Sequence, residues 1–384
     1  MEIYNQTLPE NNKGTWSGFD NIDFVLDFNN SSLVCNTIRF EANVQVFSNV
    51  TNEDRLIVTE DCSIDNKIGG HAFIQSITTS MQGQGQSMGV VENLVEYPRL
   101  VKMKSDAQNV DDDMLNSSKV CELRAPDKSI TQTQLLEKIP KIFGSSATIL
   151  PTSAPSKVDP DFSIKPMMVL NNVTSSNYNL SYDQSGTIRI SMILERNSGV
   201  LNGSDVDANY GYKLTNCRLS YKTIQNAPSL PVEMHSSMCL KSSLTSAFNN
   251  VSSRVPAVSN SVSCSFQEQS NEYDLNGNNT QLMEPPQISN LAYLFNDATN
   301  KFITYRLKSR SEMIARGLES LNTYGSNSMQ LSKLSANQSY VVGLKWNDYL
   351  DLSKTKFNVQ VNSSISNVNP YIIYQYFHSM TMIN

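Results

Sequence analysis

Apolar and polar side chains alternate with a period of two along much of this chain. Between Thr37 and Phe47, Ile38, Phe40, Ala42, Val44 and Val46 fall on one side and Arg39, Glu41, Asn43 and Gln45 on the other. That is the pattern of a half-buried β-strand. Ile22, Phe24, Leu26 and Phe28 repeat it upstream, so the chain opens with two amphipathic strands. Further strands are predicted at 70–78, 162–170 and 186–194, the last with Ile188, Ile190, Met192 and Leu194 on one face. In 210–221, Tyr210, Tyr212 and Leu214 set one parity and Cys217, Leu219 and Tyr221 the other. A β-bulge near Thr215 and Asn216 restores a single buried face. Downstream, 262–266, 302–307, 340–346 and 356–361 also read as strands. Residues 370–383 are apolar or aromatic at both parities, which predicts a central strand or one in contact with another chain.

Helical spacing is rarer. Val90, Val91, Leu94 and Val95 predict a short helix limited by Pro98, and Leu135, Leu136 and Ile139 a second one ending at Pro140. Ser309 and Glu312 form a capping-box pair ahead of Met313, Ile314, Gly317, Leu318 and Leu321, with Gly325 as the stop. That helix is expected to pack over a sheet. Pro151, Pro155, Pro160 and Pro166 mark a stiff connector, and residues 274–286 a long polar loop. Residues 1–20 read as an arm, either frayed or gripping a neighbour through Tyr4, Trp16 and Phe19.

Composition narrows the function. Of 384 residues, 39% are hydrophobic and only 17% charged, a balance that suits strands and turns better than long helices. The net charge of −6 argues against a nucleic-acid binder, which needs clustered Lys and Arg. Lys102 to Lys104 and 301–316 read as solvated surface. Six scattered Cys contain no C-x-x-C pair, and Asp111-Asp112-Asp113 has no further ligand spacing, so no metal is expected. The glycines of 81–89 miss the dinucleotide fingerprint by one position. His71, His235 and His378 stand alone, and the chain has no P-loop, H-E-x-x-H or G-x-S-x-G. No catalytic residue, cofactor or enzymatic activity is expected. No signal peptide or membrane span is visible, which points to folding in a reducing compartment.

Many short strands with few helices fit an all-β jelly-roll sandwich. Leu33 to Phe40, Gly186 to Leu194 and the closing run Val342-Gly-Leu-Lys, Phe357-Asn-Val-Gln-Val and Pro370 to Ser379 resemble penton (vertex) capsid proteins of Sputnik-type virophages and Polinton-like viruses. The resemblance implies a jelly-roll β-sandwich with a β-rich insertion domain, assembled as a homopentamer at the icosahedral vertex. Its partners would be a double jelly-roll major capsid protein and a minor capsid or fibre protein, with no specific nucleic acid. The protein would be made inside the host cell and reside in the virion. The length favours this role, since two complete jelly rolls would be cramped in 384 residues. The expected division is an arm at 1–20, a body at 21–231 plus 338–384, and an insertion at 232–337; the competing one is two β domains in tandem, split near 226–231. Residues 37–47 would lie in a sheet completed by 370–383. Tyr4, Trp16, Phe19, Tyr371, Tyr374, Tyr376 and Phe377 are the expected subunit-interface residues. The alternative function is a jelly-roll protein that binds a receptor or carbohydrate.

Overall fold

The computed structural model describes the chain except residues 1, 12, 29–30, 49–67, 84–86, 108–161, 202–209, 226, 256–257, 274–279, 281, 297–300, 322–338 and 355. The expected helix at 128–143, the Asp111–Asp113 run, the connector at 151–160 and the stop at Gly325 lie outside the described residues.

Among the described residues eighteen strands make four antiparallel sheets. In the first half they are β1 (Glu2–Thr7), β2 (Thr15–Trp16), β3 (Asn21–Leu26), β4 (Ser32–Ser48), β5 (Ile74–Met81), β6 (Gly89–Leu94), β7 (Phe162–Ile164), β8 (Asn179–Ser181), β9 (Ile188–Leu194) and β10 (Tyr210–Ile224). The second half holds β11 (Val232–Leu244), β12 (Phe248–Ser253), β13 (Val258–Glu268), β14 (Asn290–Asn296), β15 (Phe302–Leu307), β16 (Val341–Asp351), β17 (Phe357–Asn362) and β18 (Tyr371–Ile383). The α-helices among the described residues are α1 (Tyr97–Ala107), α2 (Tyr182–Ser185), α3 (Asn197–Val200) and α4 (Arg310–Leu321).

Strand order is β1-β10-β4-β7 in one sheet, with β2 on β10 and β8 on β4, and β3-β9-β5-β6 in its partner. The other two run β11-β18-β13-β16 and β12-β17-β14-β15. Each pair of sheets closes on an aromatic centre. In the first sandwich Phe40 meets Phe24 at 6.1 Å and Phe162 at 5.5 Å, and Phe73 meets Phe162 and Tyr212. In the second, Phe357 meets Phe295 at 5.4 Å and Phe377 at 5.1 Å, with Trp346 alongside. Burying a large apolar side chain contributes about 1.5–3 kcal/mol, so these centres carry much of the fold's stability.

Several expectations are met where local pattern and tertiary need agree. The alternation of β3 and β9 is the burial pattern found, and β4 alternates over 37–40, whereas Glu41 and Asn43, expected on the polar side, are buried together with Ala42 and Val44. The register of β10 against β4 shifts between Thr215 and Arg218, and Asn216 takes a left-handed φ of 52°, so the bulge falls where the parity switched. Ser309 caps α4, its hydroxyl accepting the Glu312 N–H at 3.1 Å, while Glu312 reaches back to the Lys308 N–H rather than that of Ser309. The helix packs on β16 and β13, as expected.

Three expectations are corrected. Residues 89–94 form strand β6 on β5, and the helix begins at Tyr97, with Pro98 in the first turn where its missing N–H costs nothing. Only 162–164 of the stretch 162–170 is strand; 169–171 is a 3-10 turn. Finally, β4 pairs with β10, β7 and β8, whereas β18 pairs with β11 and β13. Strands expected in the insertion therefore pair with strands expected in the body. No described sheet joins strands from both sides of 225–231.

Residues 2–7 are not loose either. They pair with β10 over six consecutive positions, from Glu2 opposite Ile224 to Thr7 opposite Leu219.

Candidate functional site

The two sandwiches meet along the β11-β18-β13-β16 sheet, which is covered on both faces. One face of β18 sends Ile373 and Phe377 into the second core, and the other sends Ile372, Tyr374 and Tyr376 into a core continuous with the first sandwich. This resolves the two-sided pattern of 370–383: the strand is central, between β11 and β13.

Helix α1 fills the junction, and nearly all of its residues are buried. The Tyr97 hydroxyl accepts the Met167 N–H at 3.0 Å and bonds His71 Nδ1 at 2.6 Å. Arg99 reaches the other way, donating to Gln267 Oε1 and lying 3.9 Å from the centroid of the Tyr374 ring. Asp106 accepts from the Ser339 hydroxyl at 2.9 Å. One helix thus staples both sandwiches through polar groups, which fixes relative position more narrowly than apolar contact alone.

Around it lies a band of buried polar residues. Glu92 accepts the Val169 N–H at 2.9 Å, and burial pushes its carboxyl up to about 8. His378 sits between the Ser237 and Ser263 hydroxyls, each 2.9 Å away, and Ser263 continues to Ser320 of α4 at 2.9 Å. Burial pulls the His378 imidazole down to about 3, so it is neutral in the fold.

His235 comes nearest to a catalytic arrangement, with Glu233 Oε1 at 2.9 Å and Thr174 Oγ1 at 2.7 Å. Both partners meet the same nitrogen, Nε2, whereas a relay needs the acid on one nitrogen and the nucleophile on the other. Among the described residues no group of three or more His, Cys, Asp or Glu could hold a metal, and no helix is long and apolar enough to cross a membrane. Cys35, Cys217, Cys239 and Cys264 are buried, free thiols whose ionisation burial opposes.

The expected interface residues separate into two groups. Trp16, Tyr371, Tyr374, Tyr376 and Phe377 are buried by this chain itself; the Tyr376 hydroxyl donates to the Glu96 carbonyl at 2.7 Å and that of Tyr371 to Glu268 at 3.0 Å. Tyr4 and Phe19 are 58% and 61% exposed. Tyr4 lies on β1, an edge strand whose outer backbone groups are unpaired in its sheet. Aromatic composition alone could not separate the groups, because a core strand and an interface strand both carry rings on two faces.

Sequence reasoning missed two surfaces. The outer face of the β12-β17-β14-β15 sheet carries Asn250, Asn290, Asn296, Asn358, Gln360 and Asn362, alternating with the core residues of those strands. None of β12, β14 and β17 contains a charged residue. The second surface surrounds Arg196 at the junction, where cationic and aromatic side chains from both sandwiches converge.

No family model matches this sequence, and no curated protein does. Solved structures do. The Faustovirus major capsid protein superposes with a TM-score of 0.54 at 9% identity, covering 100% of this chain and 90% of that one. A chain of the Sputnik virophage gives 0.52 at 11%, covering 100% and 86%, and the mavirus major capsid protein 0.50 at 10%, covering 99% and 88%. Identities this low carry the fold alone, and on that ground the chain has the jelly-roll fold of viral capsid proteins.

Proposed function

We propose that this chain is a structural capsid protein of the double jelly-roll kind, with units at 1–225 and 232–384, that tiles the face of an icosahedral virion. The observation that carries the reading is the strand pairing: two sandwiches in tandem, with no described sheet crossing 225–231, in a chain similar over its whole length to major capsid proteins. Two sandwiches per chain have a geometric consequence. Three copies around an axis present six sandwiches and so a hexagonal outline, the shape that tiles a flat facet. The buried polar staple at the junction supports the same role, because a shell subunit must hold its two units in one relative position. The pentameric vertex role draws support from the residues at 33–40, 186–194 and 342–379, and it requires five copies.

Native mass measurement and negative-stain imaging of the full chain test this. The proposed capsomer is three times 42.8 kDa, about 128 kDa, with a hexagonal outline. Five-fold rings would overturn the facet role in favour of the vertex, and a strict monomer at every concentration would overturn both.

One observation favours a second reading, a receptor- or carbohydrate-binding jelly roll. The charge-free, amide-lined face of β12, β17 and β14 is flanked by the exposed rings of Phe248 and Phe302, and amides and rings are the groups that meet sugar hydroxyls and sugar faces. Glycan-array binding by a monomer, lost on replacing Asn250 and Gln360 by Ala, would establish it.

A further inference from the structure

Three buried hydroxyls and one imidazole form an unbroken hydrogen-bonded chain from α4 towards the first sandwich. The Ser320 hydroxyl of α4 lies 2.6 Å from the Gly317 carbonyl oxygen and 2.9 Å from Ser263 Oγ on β13. Ser263 Oγ is 2.9 Å from His378 Nε2, and His378 Nδ1 is 2.9 Å from Ser237 Oγ on β11. The Ser237 backbone N–H in turn faces the carboxyl of Glu92 on β6, an edge strand of the first sandwich. Ser237, Ser263, Ser320 and His378 are all buried.

The direction of the chain follows from its end. A carbonyl only accepts and a serine has one hydroxyl hydrogen, so Ser320 donates to Gly317 and accepts from Ser263. Ser263 has then given its own hydrogen and accepts from His378, which places the imidazole proton on Nε2. Nδ1 is left as the acceptor for the Ser237 hydroxyl. A second ring proton, on Nδ1, would set two donors against each other at Ser237. The neighbours oppose that proton as well: Lys104 of α1 and His235 of β11 both face the ring, and Glu233 on β11 is bonded to His235 instead. From β13 and α4 the chain meets the ring with the Ser263 and Ser320 hydroxyls. Helix α4 has few other anchors. Of its twelve residues Met313, Gly317, Ser320 and Leu321 are the buried ones, and an element held by so few apolar contacts opens locally before the rest of a fold.

We infer that this chain is an acid-sensitive latch: His378, fixed as the Nε2–H tautomer, ties α4 to the junction sheet, and charging the ring frees the helix while both sandwiches stay folded. Burial, Lys104 and His235 hold the closed ring at about 3, against an ordinary 6.5. With α4 lifted the ring meets water and regains its ordinary value, so the open state takes up the extra proton. Opening therefore gains up to about tenfold per pH unit as pH falls between those two values. The latch belongs to the single chain and does not depend on the capsid reading.

Hydrogen exchange of the full chain, compared between parent and variants at each pH from 7 to 4, reads the latch, and imidazole nitrogen chemical shifts read the tautomer. At pH 7 the proton should be on Nε2. On acidification 310–321 should lose protection ahead of β5 and β9, by about tenfold or more relative to His378→Gln, whose amide still donates to Ser263 but takes up no proton. Ser320→Ala cuts the chain at the helix; it should lower the protection of 310–321 already at pH 7 and flatten its pH dependence. An Nδ1–H tautomer would overturn the direction of the chain and the latch with it. Exchange of 310–321 that keeps pace with β9, or that is as acid-sensitive in His378→Gln as in the parent, would overturn the latch. Should His378→Gln fail to fold, Ser320→Ala decides alone, and a pH dependence equal to the parent's overturns the inference.

Discussion

Helix propensity and packing make opposite claims about Gly317, and the conflict can be measured. A glycine inside a helix ordinarily costs about 0.5–1 kcal/mol relative to alanine, so propensity alone says that Gly317→Ala stabilises α4. The structure reverses the sign. A β-carbon at 317 would stand 2.3 Å from the Val341 carbonyl oxygen and 2.8 Å from Val342 Cα, where ordinary contact begins at 3.4 Å. The obstacle is backbone of β16, so the helix must retreat by roughly 1 Å, and overpacking of this kind costs about 1–3 kcal/mol. Sliding along the sheet gives no escape. On the strand side a β-carbon at Gly343 would stand 2.1 Å from Ser320 Oγ and 2.5 Å from the Val262 carbonyl oxygen, so the two surfaces already touch at a second glycine. Retreat also stretches the 2.9 Å bond between Ser320 and Ser263, at about 1 kcal/mol. After the propensity gain, the net loss is about 1–3 kcal/mol. Trp16 lies in the first core and Trp346 in the second, so urea unfolding followed by Trp346 fluorescence in a Trp16→Phe background reports on the sandwich that α4 covers. The midpoint should fall with the slope unchanged. Ser311→Ala, exposed on the same helix, is the control and should move it by only a few tenths of a kcal/mol. A Gly317→Ala protein as stable as the parent, or more so, would refute the close approach of α4 to β16.

Two further outcomes follow from the junction. His378 titrates near 3 in the fold and near 6.5 in an unfolded chain, so the unfolded state takes up the extra proton between those values and stability is lost as pH falls through that window, at up to roughly 1.4 kcal/mol per pH unit. Unfolding midpoints from pH 7 to pH 4 should therefore fall more steeply for the parent than for His378→Gln, and equal slopes would remove His378 from the account. Deleting 371–384 takes the central strand from between β11 and β13 and uncovers Val262, Cys264 and Phe266; the Trp346 transition should disappear, and a cooperative Trp346 transition in the deleted chain would contradict the sheet order.

The bulge at Thr215 and Asn216, the cap at Ser309 and the alternation of β3 and β9 were legible because each depends on side chains within a few residues of one another. The start of α1 was misplaced for a complementary reason. Val90 to Val95 satisfy a helical spacing, but their backbone groups are used by β5, and that demand is invisible locally. The Arg196 site was less legible still. Its members stand at 19, 96, 196, 241 and 273, no spacing relates them, and the only local sign is an unusual backbone at three of them.

What the sequence by itself determined is the class of the protein: period-two alternation dictates strands with one buried face, scarce charge favours turns over long helices, and the absence of catalytic motifs turns attention to assembly. Which strands lie side by side was decided only in three dimensions. Alternation states that a strand has a wet face and a dry one, and β18 has two dry ones, but neither pattern names the partner. Backbone hydrogen bonds are the same at every residue, so β4 could as well have paired with the end of the chain. The choice fell to the shapes of two aromatic cores and to the polar staple of α1 between them.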